Sequence, residues 1–328
     1  MTETRFSSPP TVPAEVQAQG YYGVPVIHRP HWKWLITGYF FLGGISGASA
    51  VIAAIGRLYG GAHTESMVRI GTYVSFFALA PCPPLLILDL GRPGRFLNML
   101  RVFRASSPMS VGTWGLTAFG IVSTASASMQ VALDLGPDRK GVSAMSYGRP
   151  GGTVALLSAL SGFFVAGYTG VLLAATAVPL WSKRPALLGP LFLSSAMTSG
   201  AAAISAVATI LGSESHIGHE RLRILETLTA ITEGSLLLGW IVALGPTARP
   251  LKEGRIGMIV RHGTVGAGIA LPLLISAARD HLPRRLRRPA NLIASLLTLA
   301  GTFGLRYAVV EGGRQSADDP RATFEMTG

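Results

Sequence analysis

Residues 81–114 read PCPPLLILDLGRPGRFLNMLRVFRASSPMSVGTW. An apolar run ends there in an acid, Asp89. A tight Gly91-Arg92-Pro93 stop and a second arginine, Arg95, come next. A short basic segment follows, and Trp114 opens another apolar run. Asp89 falls at the C-terminal end of an expected helix, where the helix dipole is already negative. It also falls at the edge of an apolar slab, where an ionisable group is costly and points to function. Arg92 and Arg95 are the nearest groups in sequence able to compensate it.

The same alternation of long apolar runs and short charged breaks extends over the chain. Of its 328 residues, 49% are hydrophobic and only 13% are charged, against roughly 25% charged in a soluble domain. Mean hydropathy is +0.43. A membrane crossing needs about 20 apolar residues. Eight such blocks occur, near 34–55, 68–90, 112–135, 153–180, 187–211, 222–244, 257–277 and 290–310. Barrel strands would be about ten residues each with period two. The chain therefore reads as an all-α integral membrane protein with eight transmembrane helices.

The net charge of +12 sits mostly between the blocks, as membrane-flanking charge beside anionic lipid headgroups. It does not indicate nucleic acid. The one cysteine, Cys82, cannot hold an iron–sulfur cluster, and no histidine falls near the middle of a block to serve a buried haem. We therefore expect no haem, no cluster and no metal in this chain. Residues 1–33 are polar and proline-containing, lack signal-peptide features, and are expected to form a tail outside the membrane.

Eight crossings place both termini on one face, side A, together with the loops after spans two, four and six. Side B receives the loops after the odd-numbered spans. Lysine and arginine are spread almost evenly over both faces, so charge bias does not fix orientation, although the basic cluster at 284–288 leans toward side B as cytoplasmic. Gly43, Gly44 and Gly47 in span one, and Ser194, Ser195, Ser199 and Gly200 in span five, suit close helix packing. Pro81, Pro83 and Pro84 must disturb span two, since each lacks an amide donor.

Several side chains could carry chemistry. Asp89 is either a capped helix end paired with arginine or a proton-handling group. The segment 96–104 reads as a short interfacial helix with Arg101 and Arg104 as docking charges. Tyr39 and Tyr168 lie inside spans one and four, each close to side A. A phenol in hydrocarbon needs a partner, either another helix or a quinone carbonyl. Glu226 and Glu233 share one face of span six, about 10 Å apart along the axis. Glu226 has Arg223 as a possible partner, whereas Glu233 is deeper. With His216 and His219 just before them, they outline a proton route from side B.

Three segments carry a family resemblance: ILDLGRPGRFLNMLRVFRASSPMSVGTW, YFFLGGISGASA from Tyr39, and GYTGVLLAATAVPLW from Gly167. They resemble the NrfD/PsrC family of integral membrane, quinone-reactive subunits. The resemblance covers most of residues 30–250, and the last third matches mainly by hydropathy. It implies a pair of four-helix bundles, 34–180 with the quinone site and 181–310, followed by a tail at 311–328. It also implies a ferredoxin-like iron–sulfur partner next to a molybdenum or tungsten catalytic subunit, in a prokaryotic cytoplasmic membrane. Tyr168 matches the family tyrosine that contacts the quinone headgroup. Tyr39 stands where some members place a quinone-contacting histidine. Asp89 and Arg92 match the loop at the quinone end. The iron–sulfur partner then docks on side A through Arg95, Arg101 and Arg104, with menaquinone or ubiquinone exchanged and Asp89 or Glu233 handling protons. A transporter with broken spans and a purely structural anchor remain as competing readings.

Overall fold

The structure is a computed structural model. It describes residues 27, 29–32, 34–60, 64–91, 94, 96–136, 145–146, 148–212 and 216–319, without the side chains of 216, 217, 219 and 280. Every regular element among the described residues is helical. Among the described residues, eight helical segments are long and apolar enough to cross a membrane: Trp34–Tyr59, Glu65–Asp89, Pro108–Leu135, Arg149–Ala174, Pro185–Leu211, Glu220–Lys252, Gly254–Ala278 and Arg284–Asp318. These are spans one to eight. The shortest has 25 residues, about 37 Å of helix at 1.5 Å per residue, enough for a hydrocarbon core of about 30 Å.

Spans one to four form one ring of neighbours. Span one packs on two and four, and span three on two and four. Spans five to eight form a second ring, in which five packs on six and eight, and seven on eight and six. The rings join where span five packs against spans one and four. Spans one and five are therefore the most enclosed, with 78% and 83% of their apolar windows buried. The other spans turn leucine, isoleucine, valine and phenylalanine outward, among them Ile121, Leu160, Phe163 and Val242, as a lipid-facing surface requires.

Close packing within the first ring, and between it and span five, needs small residues. A Cβ on Gly47 would lie 2.4 Å from the Gly162 carbonyl oxygen of span four, and one on Gly200 would lie 2.6 Å from Ala48. The expected close packing is present at these two positions. Gly44 and Ser195 serve a different purpose, described below.

Span two breaks where its prolines predict. One helix ends at Leu79 and the next runs Cys82–Asp89. Pro83 and Pro84 sit in the first turn of the second piece, where a missing donor costs nothing, and the Pro81 carbonyl is recovered by the amide of Leu85 at 3.1 Å. Gly91 then takes a left-handed φ of 66°, which stops the helix. Span four is shorter than its apolar block, ending at Ala174 instead of near 180. Pro179 holds Val178 extended and opens a separate turn of helix, Pro179–Ser182. At side B, Asp134 ties spans two and three: it accepts from the Tyr73 hydroxyl at 2.6 Å and pairs with Arg69 at 2.9 Å.

Candidate functional site

At side A the first ring opens into a cleft. Its walls are apolar: Trp32, Ile36, Phe40, Leu86, Met109 and Leu172 contribute, with Phe96 and Met99 as a rim. Tyr39, Asp89, Thr113 and Tyr168 supply its polar side chains. Two tyrosines and an acid that the sequence placed only on the same side thus line one cavity.

Local sequence explains how each is held. Asp89 is the last residue of the helix Cys82–Asp89, so the proline break upstream and the Gly91 stop downstream fix where it emerges. Tyr39 is a turn into span one, and its hydroxyl has no hydrogen-bond partner among the described residues. Tyr168 is held on three counts. Its ring stacks on Phe164 at 4.6 Å between centroids. Its hydroxyl donates to the carbonyl of Pro108. Its edge lies so close to Gly112 that a Cβ there would be 2.8 Å from Cε1. The segment SSPMSVGTW therefore has a physical reading: Ser107 caps span three by accepting from the Ser110 amide at 3.4 Å, Pro108 follows at the first helical position, and Gly112 leaves room for the Tyr168 ring.

The helix Phe96–Arg101 buries none of its residues. Phe96 and Met99, three apart and on one face, line the cleft, while Leu97 and Arg101 are exposed. Arg104 is also exposed and is positioned by its amide, which donates to the Ser110 hydroxyl at 3.0 Å. Arg92 and Arg95 lie outside the described residues.

The acids of span six are in the second ring, away from this cleft. Glu226 accepts from the Ser205 hydroxyl at 2.5 Å, and Arg223 forks onto Glu220, its Nε at 3.1 Å. The hydroxyl of span five, more than the expected arginine, thus satisfies Glu226. Glu226 lines an open pocket that also includes Arg223, Thr198, Arg279, Asn291 and Thr298. Glu233 is fully buried. Ser195, Thr198 and Arg306 face it, yet neither carboxylate oxygen makes a hydrogen bond. The side chains of His216 and His219 lie outside the described residues.

Arg306 is the residue that sequence reasoning missed. It is 1% exposed in span eight. Its Nε donates to the Phe40 carbonyl at 3.0 Å, and its Nη1 donates to Ser195 Oγ at 2.9 Å and to the Thr302 carbonyl at 3.0 Å. Gly44 makes room for it: a Cβ there would lie 2.7 Å from Nη2. The available signal was an arginine inside FGLRYAVV, since a charge within a span is rare and functional by default.

The family described as "Polysulphide reductase, NrfD" matches residues 26–317. The chain belongs to the NrfD family. Among curated relatives, the C subunit of the polysulfide reductase of Wolinella succinogenes is 26% identical over 306 residues, covering 86% of this chain and 94% of that protein. The match to the NrfD family runs through both rings of spans, including the last third, where the sequence resembled the family mainly by hydropathy.

Proposed function

We propose that this protein is the quinone-reactive membrane subunit of a respiratory oxidoreductase complex in a prokaryotic cytoplasmic membrane. The observation that carries the reading is the convergence of Tyr39, Tyr168 and Asp89 on one apolar cleft at side A, in a protein of the NrfD family. A quinone headgroup is planar, with two carbonyl acceptors and an apolar tail. Aromatic and aliphatic walls with a few placed polar groups suit it.

The two tyrosines take complementary roles. Tyr39 has its hydroxyl proton available for a quinone carbonyl. Tyr168 already gives its proton to Pro108, so its oxygen offers lone pairs to a quinol hydroxyl. Oxidation of one quinol yields one quinone, two electrons and two protons, and reduction reverses this. Asp89 exchanges protons at the cleft. Arg92, by family analogy, helps hold the headgroup. The electrons pass to or from a ferredoxin-like iron–sulfur subunit docked on side A over Arg95, Arg101 and Arg104. A molybdenum or tungsten catalytic subunit lies beyond it. Glu226 and Glu233, with His216 and His219, form a proton route from side B. Menaquinone and ubiquinone both fit the chemistry of the cleft.

The test is Tyr168→Phe and Tyr39→Phe in the assembled complex, with quinol-linked turnover as readout. Losing one hydrogen bond to the headgroup should lower turnover about ten-fold. Unchanged turnover in both variants, with the complex intact, would leave the protein a structural anchor.

A further inference from the structure

The strongest unexplained feature is a buried acid and a buried arginine of the second ring that do not close on each other. Glu233 is fully buried with both oxygens unbonded, and Arg306 Nη2 is likewise buried without a partner. A carboxylate stripped of water and of hydrogen bonds is costly, whereas a neutral carboxylic acid is far less so. The observed arrangement therefore suits a proton-loaded Glu233. The ionised form requires Arg306 to close onto the carboxylate.

Closing has a consequence at the cleft. The guanidinium spends its Nε on the carbonyl of Phe40. Phe40 lines the cleft beside Tyr39. It also meets Phe192 edge to face at 6.1 Å, and that same Phe192 ring lies 5.8 Å from the Arg306 guanidinium carbon. A shift of Arg306 toward Glu233 thus pulls on the backbone and packing of the cleft wall.

A pocket lined by polar groups lies next to this pair. The pocket, lined by Arg223, Glu226 and Arg279, includes Thr198, which faces Glu233. Spans five and six keep antiparallel register along it: Ser205 meets Glu226, and Thr198, seven residues back, meets Glu233, seven residues on. Among the described residues, Arg306 is the charged group that faces Glu233, with Ser195 and Thr198 the polar groups from span five.

We propose that Arg306 is a positioning residue that couples proton loading of Glu233 in the second ring to quinone occupancy of the cleft in the first. The proton comes from side B through the pocket, and the carboxylate is its acceptor. With Glu233 loaded, Arg306 stays on Phe40 and the cleft is intact. With Glu233 ionised, Arg306 closes on it and the cleft loosens. By linkage, quinone binding favours the loaded state as much as loading favours quinone. The inference rests on the quinone reading above.

The experiment measures binding of a short-tailed menaquinone analogue to the intact detergent-solubilised complex across a pH series, by equilibrium dialysis. In the native protein, affinity is expected to weaken with rising pH by about 5-fold or more. Glu233→Gln should bind at the acid-end affinity at every pH. Asp89→Asn, which alters the cleft itself and with it the affinity, should still keep the ratio between acid-end and alkaline-end affinity, which separates this effect from titration in the cleft. Arg306→Lys keeps the charge but not the fork, and should flatten the dependence while Glu233 is still present. The coupling is overturned by native affinity that does not vary with pH, by Glu233→Gln retaining the native dependence, or by Arg306→Lys retaining it. Failure of the analogue to bind the native complex at all would instead remove the quinone reading. Should Arg306→Lys not assemble, Glu233→Gln alone decides.

Discussion

Arg306 donates from Nε to the backbone carbonyl of Phe40 at 3.0 Å, a bond that ties the last span to the first. Ser195 of span five accepts from the same guanidinium at 2.9 Å. One side chain thus holds three spans from two rings, whereas its facing acid makes no hydrogen bond. The two charges should therefore be unequal in stability. Arg306→Leu leaves the Phe40 and Thr302 carbonyls and the Ser195 hydroxyl without their donor, and should cost about 3 kcal/mol. Glu233→Gln removes no bond and should cost under about 1 kcal/mol. Thermal unfolding of the two purified variants checks this, and equal losses would contradict the asymmetry.

Two glycines inside spans make a second contrast. At Gly47 a methyl group would meet two backbone atoms of span four, at 2.4 Å and 3.0 Å, and backbone cannot rotate away. Gly47→Ala should force spans one and four apart and lower stability by about 1–3 kcal/mol or more. Gly239 in span six has nothing within 4 Å of the same added atom, so Gly239→Ala should be neutral or stabilise by up to about 1 kcal/mol. Yield and melting temperature of the two variants separate packing glycines from incidental ones.

Much of this architecture was legible because hydrophobic blocks and prolines act locally. Eight spans, the break at Pro81 and the stop at Gly91 each follow from a few adjacent residues. Side counting also put Tyr39, Tyr168 and Asp89 at one end, although their convergence on a single cleft needed the packing of four helices. Arg306 shows what local reading loses. Its partners Phe40 and Ser195 are far away in sequence, so one arginine in FGLRYAVV gives no sign of what it holds. The same applies to Glu226, whose neighbour Arg223 was the obvious partner in sequence but whose hydroxyl donor comes from span five. The small residues divided for a similar reason. Spacing cannot tell a glycine that admits a backbone, such as Gly47, from one that admits a guanidinium, such as Gly44.

Gly112 offers a test of the cleft that leaves every polar group in place. Its absent side chain gives room to the Tyr168 ring, since an added Cβ would stand 2.8 Å from Cε1. That ring is backed by Phe164 and cannot retreat freely. Gly112→Ala should tilt the phenol off the Pro108 carbonyl and lower quinol-linked turnover about ten-fold, comparable to losing one well-aligned hydrogen bond. Assembly should persist, because the shift is confined to one ring. Assaying turnover per assembled complex distinguishes this from a folding loss, and native turnover would show that the position of Tyr168 is unimportant.

The helix Phe96–Arg101 makes the docking face testable without touching the cleft. Phe96 and Met99 belong to the rim of the cleft, but Arg101 and Arg104 are exposed, and Leu97 beside Arg101 is 66% exposed. An exposed cation pair flanked by apolar surface is the pattern of a contact steered by charge. Reversing it with Arg101→Glu and Arg104→Glu should remove the iron–sulfur partner from the purified complex while the membrane subunit still folds. Added salt should mimic the effect in the native protein, because screening weakens such steering. Arg221 is exposed at side B, and Arg221→Glu should leave the partner in place. Loss of the partner from the side B variant, and not from the side A variant, would put the docking surface on the opposite face and separate it from the side A cleft by the thickness of the membrane.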